Sequence, residues 1–287
     1  MKLTRSKILE ILRMRNNGET AYQARKVANI SVRRVYQIYS EYLIKGEPPA
    51  IGRRMGRPKR PITDMERMIV KKAYEKYRVS ASTLEKLIKR DFGTHIPHNH
   101  IHKIMINLDY AKPKNKTDIR KKNWIRYERK HSLTAVHLDW YNDAKSRLWV
   151  LPVIDDASRK MLALVEEKDA TTDNSIKAMK EALEHGKIKQ CITDHGTQFI
   201  KGEDQKSRFH EFLKKNEIKH ILCKIKHPQT NGKSEKFNDL YKNHRHAFAT
   251  KEEFMHWYNE IRPHRSLNFA ELETPQQAFI RKMKAEV

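Results

Sequence analysis

Three acidic residues stand in segments where a carboxylate could do chemistry. Asp139 lies in His-Leu-Asp-Trp, Asp194 in Ile-Thr-Asp-His-Gly-Thr-Gln-Phe, and Glu235 in Thr-Asn-Gly-Lys-Ser-Glu-Lys-Phe-Asn. If the fold brings them together, they can hold two divalent ions, and their hard oxygen ligands suit Mg²⁺ or Mn²⁺. Two such ions activate an attacking oxygen and stabilise a leaving one during phosphodiester displacement. Because close carboxylates repel each other without a cation, the site should depend on metal.

The surrounding pattern predicts the elements that must position these acids. The predicted order is strands 134–140, 147–154 and 160–167, helix 173–184, strand 189–193, helix 206–216, strand 219–223 and helix 234–245. Asp139 then falls within the first strand, Asp194 at the end of the fourth, and Glu235 at the start of the last helix. Three successive strands followed by alternating helices and strands predict an α/β domain, with a mixed sheet flanked by helices.

Other acids compete for these roles. Asp155 and Asp156 are rivals for the first position, but they are predicted to lie in a turn, where Asp is common anyway. Asp239 follows Glu235 by four residues on the same helical face and is a weaker rival for the third position. Any one of these acids alone is more often a turn or cap residue than a metal ligand.

The charge of the chain is concentrated in its first half. The 287 residues carry a formal net charge of +25, and residues 1–130 hold 33 Lys and Arg against 12 Asp and Glu. This asymmetry predicts an arm that binds a polyanion; a merely solvated basic surface is the alternative. No apolar run is long enough for a membrane span, no secretory signal is evident, and two cysteines make no disulfide framework. We therefore expect a protein of a reducing cell interior that is not associated with a membrane.

Residues 1–45 are predicted to form a helix-turn-helix domain. Helices are expected over 4–16, 20–28 and 32–44, and the third would present Arg33, Arg34 and Gln37 to phosphates and base edges. A plain three-helix bundle is the alternative. Gly and Pro residues make 46–63 a linker. Its basic side chains could enter a minor groove or form only a charged spacer, and they are Arg53, Arg54, Arg57, Lys59 and Arg60.

Residues 64–112 repeat the pattern of long helix, short helix, turn and long helix. Asp64 is expected to cap a helix reaching Tyr77, Ser82 one reaching Arg90, and Pro97 one reaching Leu108. The histidines in this turn have no nearby cysteine, so we interpret them as surface or DNA-facing residues and not as zinc ligands. His100 and Lys103 are the candidate DNA contacts. Residues 113–130 are expected to be a basic connector.

The second half of the chain resembles the integrase core of DDE transposases from prokaryotic insertion sequences, relatives of retroviral integrases. The matching segments follow the family's order: His-Leu-Asp at 137–139, Asp-Asp-Ala-Ser-Arg at 155–159, Thr-Asp-His-Gly-Thr-Gln-Phe at 193–199, His-Pro-Gln-Thr-Asn-Gly-Lys-Ser-Glu-Lys-Phe-Asn at 227–238, Tyr-Asn at 258–259, Arg-Pro-His-Arg-Ser-Leu at 262–267 and Thr-Pro at 274–275. The resemblance implies an RNase H-like core over 131–287, with Asp139, Asp194 and Glu235 as its catalytic triad. The interval between the last two is longer than usual, and 201–208 would be a surface insertion.

Several residues around the triad are assigned supporting roles. His137 could orient Asp139 or touch substrate, and a packed structural histidine is equally compatible with its position. Gly196 permits a tight turn after Asp194. Asn231 and Gly232 predict a turn or loop before the helix of Glu235. The candidate DNA contacts in this half are Asn231, Lys233, Lys236, Arg262, His264 and Arg265.

The combined hypothesis is a DNA transposase. Its helical units would recognise the ends of a mobile element in double-stranded DNA, and its core would cleave a strand and transfer the 3′-hydroxyl end to target DNA. Because two ends must be joined in concert, a homo-oligomer on DNA is expected. The alternatives are a domesticated regulator that binds DNA without catalysis and an RNase H-type nuclease.

Overall fold

The computed structural model describes residues 3–51, 60–113, 128–200, 207–223 and 228–283, with only the backbone described over 228–235. The chain divides into two compact units, residues 1–61 and residues 62–287. Most of the predicted insertion at 201–208 and most of the predicted connector lie outside the described residues, whereas Ser207 and Arg208 are described and begin a helix. Also outside the described residues are four of the five linker cations, which are Arg53, Arg54, Arg57 and Lys59.

The first unit is a bundle of three helices. Its elements are α1 (Arg5–Asn16), α2 (Ala21–Ala28) and α3 (Val32–Lys45). Each begins at a hydroxyl side chain that accepts a backbone N–H of the first turn, and these N-caps are Thr4, Thr20 and Ser31. The bundle closes on a small apolar core that includes Ile11, Ala24 and Val35. The three helices therefore form as predicted.

Three more helices belong to the second compact unit: α4 (Asp64–Tyr77), α5 (Ala81–Phe92) and α6 (His98–Asn107). The caps differ from the prediction, because Thr63 and not Asp64 precedes α4, and Ser80 and not Ser82 precedes α5. Thr63 and Glu66 satisfy each other's backbone N–H groups in a capping box. Leu272, from the C-terminal part of the chain, is buried in the apolar cluster of these helices.

The sheet of the second unit has six strands. They are β1 (Val136–Leu138), β2 (Tyr141–Asp143), β3 (Leu148–Asp155), β4 (Met161–Glu167), β5 (Gln190–Thr193) and β6 (Lys219–Leu222). β1, β2 and β4 pair antiparallel with β3, whereas β1, β5 and β6 are parallel neighbours. This is the mixed sheet that the sequence predicted.

Two predictions about the strands are wrong. Asp139 does not lie within a strand: β1 ends at Leu138, and a further short strand, β2, begins at Tyr141. Both pieces pair with β3 in one continuous register, and that register places Asp139 opposite Pro152. Pro152 has no N–H to offer a neighbouring strand, so the interruption falls where the ladder is weakest. Asp155 is the last residue of β3 and not a turn residue.

Helices cover both faces of the sheet, giving the RNase H-like arrangement. The helices are α7 (Thr172–Leu183), α8 (Arg208–Lys215), α9 (Pro228–His244), α10 (Lys251–His256) and α11 (Pro275–Lys282). Alternate residues of β3 point to opposite faces. Leu151 and Val153 join the cluster that contains residues of α7 and α8, whereas Val150 and Ile154 pack with Phe237 and Tyr241 of α9.

The helix that carries Glu235 is longer than predicted. α9 begins at Pro228, so Asn231 and Gly232 lie within the helix and not in a preceding turn. Proline suits the first helical position, because its fixed φ is already helical and its missing N–H is not needed there. None of the described helices has the length and apolar character that a membrane span requires.

Candidate active site

The ends of two neighbouring parallel strands bring the first two acids together. β1 pairs with β5 through Val136 opposite Cys191 and His137 opposite Ile192. Carrying this register to the first residue after each strand places Asp139 opposite Asp194. Adjacent strands lie about 4.8 Å apart, so the two acids occupy neighbouring backbone positions at one edge of the sheet.

Asp139 and Asp194 form a row of residues across the strand ends, and Cys223 extends this row on the next strand. β6 pairs with β5 so that Cys223 follows Leu222 beside Asp194, and the Cys223 N–H donates to Thr193 O at 2.9 Å. Burial, and then the charges of Asp139 and Asp194, together raise the pKa of the Cys223 thiol to about 11. Both carboxylates therefore act on the same sulfur. No role was predicted for Cys223, although its place at the end of a predicted strand was a usable signal.

The backbone after Asp194 folds back onto its carboxylate. The Gly196 N–H donates to Asp194 Oδ1 at 3.0 Å. A Cβ at position 196 would lie 2.5 Å from Gln198 Oε1 and 3.0 Å from Asp194 Oδ1. A side chain at position 196 would therefore require the flexible Gln198 side chain to move and would crowd the Asp194 carboxylate.

Glu235 lies on α9, which packs against β1, the strand that precedes Asp139. The described anchors of this helix are Phe237 and Tyr241, both buried against the sheet. The side chain of Glu235 lies outside the described residues, so its place in the triad remains a prediction. The rival Asp239 is largely exposed, and its carboxylate is 4.0 Å from Lys236 Nζ.

The other two rival acids are fixed in buried hydrogen-bond networks. Asp155 accepts from the Leu133 N–H at 2.8 Å and from the backbone and hydroxyl of Ser158. Asp156 accepts from the Arg129 N–H, and its Oδ1 is 2.6 Å from His137 Nε2. These contacts favour structural roles for both acids. They also favour the packed structural alternative for His137, which is 3% exposed.

The oxygen donors at the strand ends are compatible with a hard divalent cation. Asp139 and Asp194 supply carboxylates, and Asn238 on α9 has a buried Oδ1 with no hydrogen-bond partner within the described part of the chain. Asn238 lies three residues after Glu235, and residues at this spacing share a helix face. The protonated thiol of Cys223 is a poor ligand. Among the described side chains, no three His, Cys, Asp or Glu residues form a metal-binding group.

Two histidines, His210 and His220, lie next to Thr193, the residue that precedes Asp194. His220 Nε2 is 2.9 Å from Thr193 Oγ1, and His220 Nδ1 is 3.3 Å from His210 Nδ1. Burial, and then the neighbouring His210, together lower the pKa of His220 to about 4. His220 is therefore neutral at pH 7, with Thr193 as its partner.

We expect the free energy of unfolding to fall as the pH decreases from about 6.5 to 4. In this window the unfolded chain binds a proton at His220, whereas the folded chain does not. Protonation therefore favours the unfolded state, and the free energy of unfolding is free of this loss only above pH 6.5. Because His220 is partly exposed, the loss should be about 1–2 kcal/mol. Urea unfolding at pH 7, 5.5 and 4.5 should show a weaker pH dependence for His220→Gln. His256→Gln, at an exposed histidine, is the control, and equal pH dependence in the wild type and His220→Gln would contradict this prediction.

The predicted DNA contacts are distributed over both units. Arg33, Arg34 and Gln37 are exposed on α3, with Arg34 Nη1 donating to Gln37 Oε1 at 3.1 Å. Arg60, Lys103, Lys236 and Arg265 are also exposed. The side chains of Asn231 and Lys233 lie outside the described residues.

Three of the predicted contacts are less accessible. His100 is mostly buried, with Nδ1 3.8 Å from Glu66 Oε1. Its position favours packing over DNA contact. His264 is half-buried and bonds to Ser266 through Nδ1 at 2.8 Å. The Arg262 guanidinium lies against the rings of Trp257 and Tyr258.

Comparison with known proteins agrees with this architecture. Two family models described as integrase core domain match residues 130–228 and 216–270. The chain is 30% identical over 191 residues to the "Putative integrase ORF3" of Spiroplasma virus SpV1-C74, with 56% of this chain and 52% of the viral protein aligned. The chain thus spans about half the length of that relative. It is also 32% identical over 97 residues to an uncharacterized protein of Archaeoglobus fulgidus, covering 34% of this chain and 78% of the archaeal one.

One solved structure that resembles the chain is a cryo-EM structure of a simian T-cell lymphotropic virus intasome in complex with PP2A regulatory subunit B56 gamma. The match has a TM-score of 0.45 and 12% sequence identity, and it covers 76% of this chain and 75% of the other.

Proposed function

Because this chain belongs, through residues 130–270, to the integrase core family of the retroviral integrase superfamily, we propose that it is a DNA transposase of a prokaryotic mobile element. It would cleave a strand at the element's end and join that end to target DNA. The observation that carries this proposal is the register that sets Asp139 beside Asp194 at the ends of two parallel strands. Carboxylates in this arrangement suit metal-dependent phosphodiester chemistry.

Asp139, Asp194 and Glu235 would hold two divalent cations, Mg²⁺ or Mn²⁺. When bound, these ions activate the attacking oxygen and stabilise the leaving oxygen. The chain itself supplies the ligand positions: β1 and β5 fix the two aspartates, and α9 carries the glutamate. The Gly196 N–H orients the Asp194 carboxylate, and Lys236, exposed beside Glu235, is available to a phosphate.

The basic first half of the chain would hold the DNA. We expect log Kd for a DNA duplex to rise with log salt concentration at about 0.9 per phosphate neutralised. Fluorescence anisotropy between 50 and 200 mM NaCl measures this slope. Arg33→Gln with Arg34→Gln should reduce it by about 2, and Lys187→Gln, on the core surface, should leave it unchanged. A slope near zero in the wild type would contradict the role given to residues 1–130.

The transposase proposal is tested by strand cleavage and strand transfer in the presence of Mg²⁺. The substrate is a duplex made from the DNA borders of the gene, and the protein is expected to assemble on it as a dimer or larger oligomer. Products joined to target DNA would support the proposal. DNA binding without cleavage would support a domesticated regulator, and preferred cutting of RNA–DNA hybrids would support an RNase H-type nuclease. We place the protein in the cytoplasm with the nucleoid, where such a substrate resides.

A further inference from the structure

A second polar cleft lies in the same compact unit, between the α4–α6 helices on one side and the end of α9 with the segments that follow it on the other. It encloses about 1120 Å³. One wall includes Arg78, which ends α4, and His102 of α6, and the other includes His244, Arg262 and Arg265. The Trp257 indole N–H donates to Tyr77 O at 3.2 Å, so a direct hydrogen bond joins the two walls. The cleft is part of the packed unit and not a gap between independent bodies.

The side chains that line this cleft are strongly basic. Four arginine or lysine side chains contribute, namely Arg78, Lys112, Arg262 and Arg265. Four histidines join them, and the carboxylates among the described lining residues are those of Glu75 and Asp109. Burial and then the charges of Arg262 and Arg78 lower the pKa of His244 to about 4. Burial and the positive charge of the lining arginines thus both disfavour a proton on His244.

Two buried side-chain nitrogen atoms of the lining residues have no hydrogen-bond partner among the residues that the structure describes. They are Arg262 Nη1 and His102 Nε2, one on each wall. Burial also lowers the pKa of Arg262, whose guanidinium lies 5.9 Å from the Trp257 ring centroid and 5.8 Å from that of Tyr258. A buried guanidinium N–H without an acceptor is costly. A ligand that supplies acceptor oxygens would remove this cost.

We propose that this cleft is a second DNA-binding site, which takes a backbone phosphate between Arg262 and His102. The planar guanidinium matches the oxygens of a phosphate, and the walls provide further cations for the neighbouring phosphates. This inference rests on the proposed function, because it assumes that DNA is the substrate. It adds a DNA contact that is made jointly by α4–α6 and the core. The residues of this contact are distant in sequence from Asp139 and Asp194 and lie on other elements.

The test uses the full chain and a DNA duplex in fluorescence anisotropy. Arg262→Gln should weaken binding about 5- to 20-fold and lower the salt slope by about 0.9, since one phosphate contact is lost. Arg262→Lys keeps the positive charge but loses the planar guanidinium. It should retain the salt slope and bind DNA with an intermediate affinity. Arg208→Gln, at an exposed arginine paired with Asp173, is the matched control and should leave both unchanged.

A variant on the opposite wall covers the case in which Arg262→Gln fails to fold. His102→Gln with Lys112→Gln should produce the same loss of affinity and slope, and circular dichroism checks folding. Unchanged affinity and slope in a folded variant of either wall would overturn the inference. Inorganic phosphate could also raise the Tm of the wild type. If a cleft variant abolishes that rise while its DNA binding is unaffected, the cleft binds free phosphate and the inference is overturned.

The same measurements separate this inference from the proposed function. If the wild type performs strand transfer and the cleft variants bind DNA normally, only the cleft assignment fails. If the wild type binds no DNA at any salt concentration, the proposed function and the inference fail together.

Discussion

Replacing Asp139 or Asp194 with Asn, or Glu235 with Gln, is expected to reduce Mg²⁺-dependent strand cleavage and strand transfer at least about 100-fold. Each change removes a negative oxygen ligand while keeping the size of the side chain. Asp139 and Asp194 are neighbours across β1 and β5, so losing either carboxylate leaves an incomplete site for the cations. DNA binding should persist, because the basic helical units do not depend on these acids.

The controls for this experiment come from the rival acids. Asp239→Asn changes an exposed carboxylate on the same helix as Glu235, and it should retain near-normal strand transfer. Asp155→Asn should lower the free energy of unfolding, because this carboxylate accepts three hydrogen bonds in the interior. The folded fraction of this variant should retain strand-transfer activity. Near-normal activity in Glu235→Gln together with loss in Asp239→Asn would transfer the third position to Asp239.

Replacing Trp257 with Ala is expected to lower the free energy of unfolding of the second unit by about 3–5 kcal/mol. The side chain is 2% exposed and packs in the cluster that joins β3 and β4 to α9 and α10. Its indole N–H also donates to Tyr77 O at the end of α4. The substitution leaves a large cavity and removes a contact between the helical unit and the core. Urea unfolding followed by far-UV circular dichroism measures the loss.

Trp257→Phe separates the two contributions. This variant retains most of the buried ring but loses the donor, so we expect a loss of about 1–2 kcal/mol. If α4–α6 depend on the core as the packing of Leu272 indicates, Trp257→Ala should also increase hydrogen exchange in α4. A loss below about 1 kcal/mol for Trp257→Ala would show that this cluster does not hold the unit together.

Most elements could be predicted because their signals are local. Ser, Thr and Gly residues mark the ends of several helices, and apolar residues repeat at helical or strand spacing between them. Two of the errors trace to prolines. Pro152 interrupts the pairing at Asp139, and Pro228 begins α9 earlier than the turn signal of Asn231 and Gly232 suggested. A pattern within one segment does not reveal a partner strand that lacks an N–H.

The sequence by itself determined the types of residue available for catalysis and the concentration of positive charge in the first half. The identity and spacing of Asp139, Asp194 and Glu235 were sufficient to suggest metal-dependent chemistry. Only the tertiary structure decided that Asp139, Asp194 and Cys223 form one row, and that Arg262 and His102 face a common cleft. The physical reason is that register between strands and the packing of distant helices depend on contacts between residues far apart in the chain, which no local pattern records.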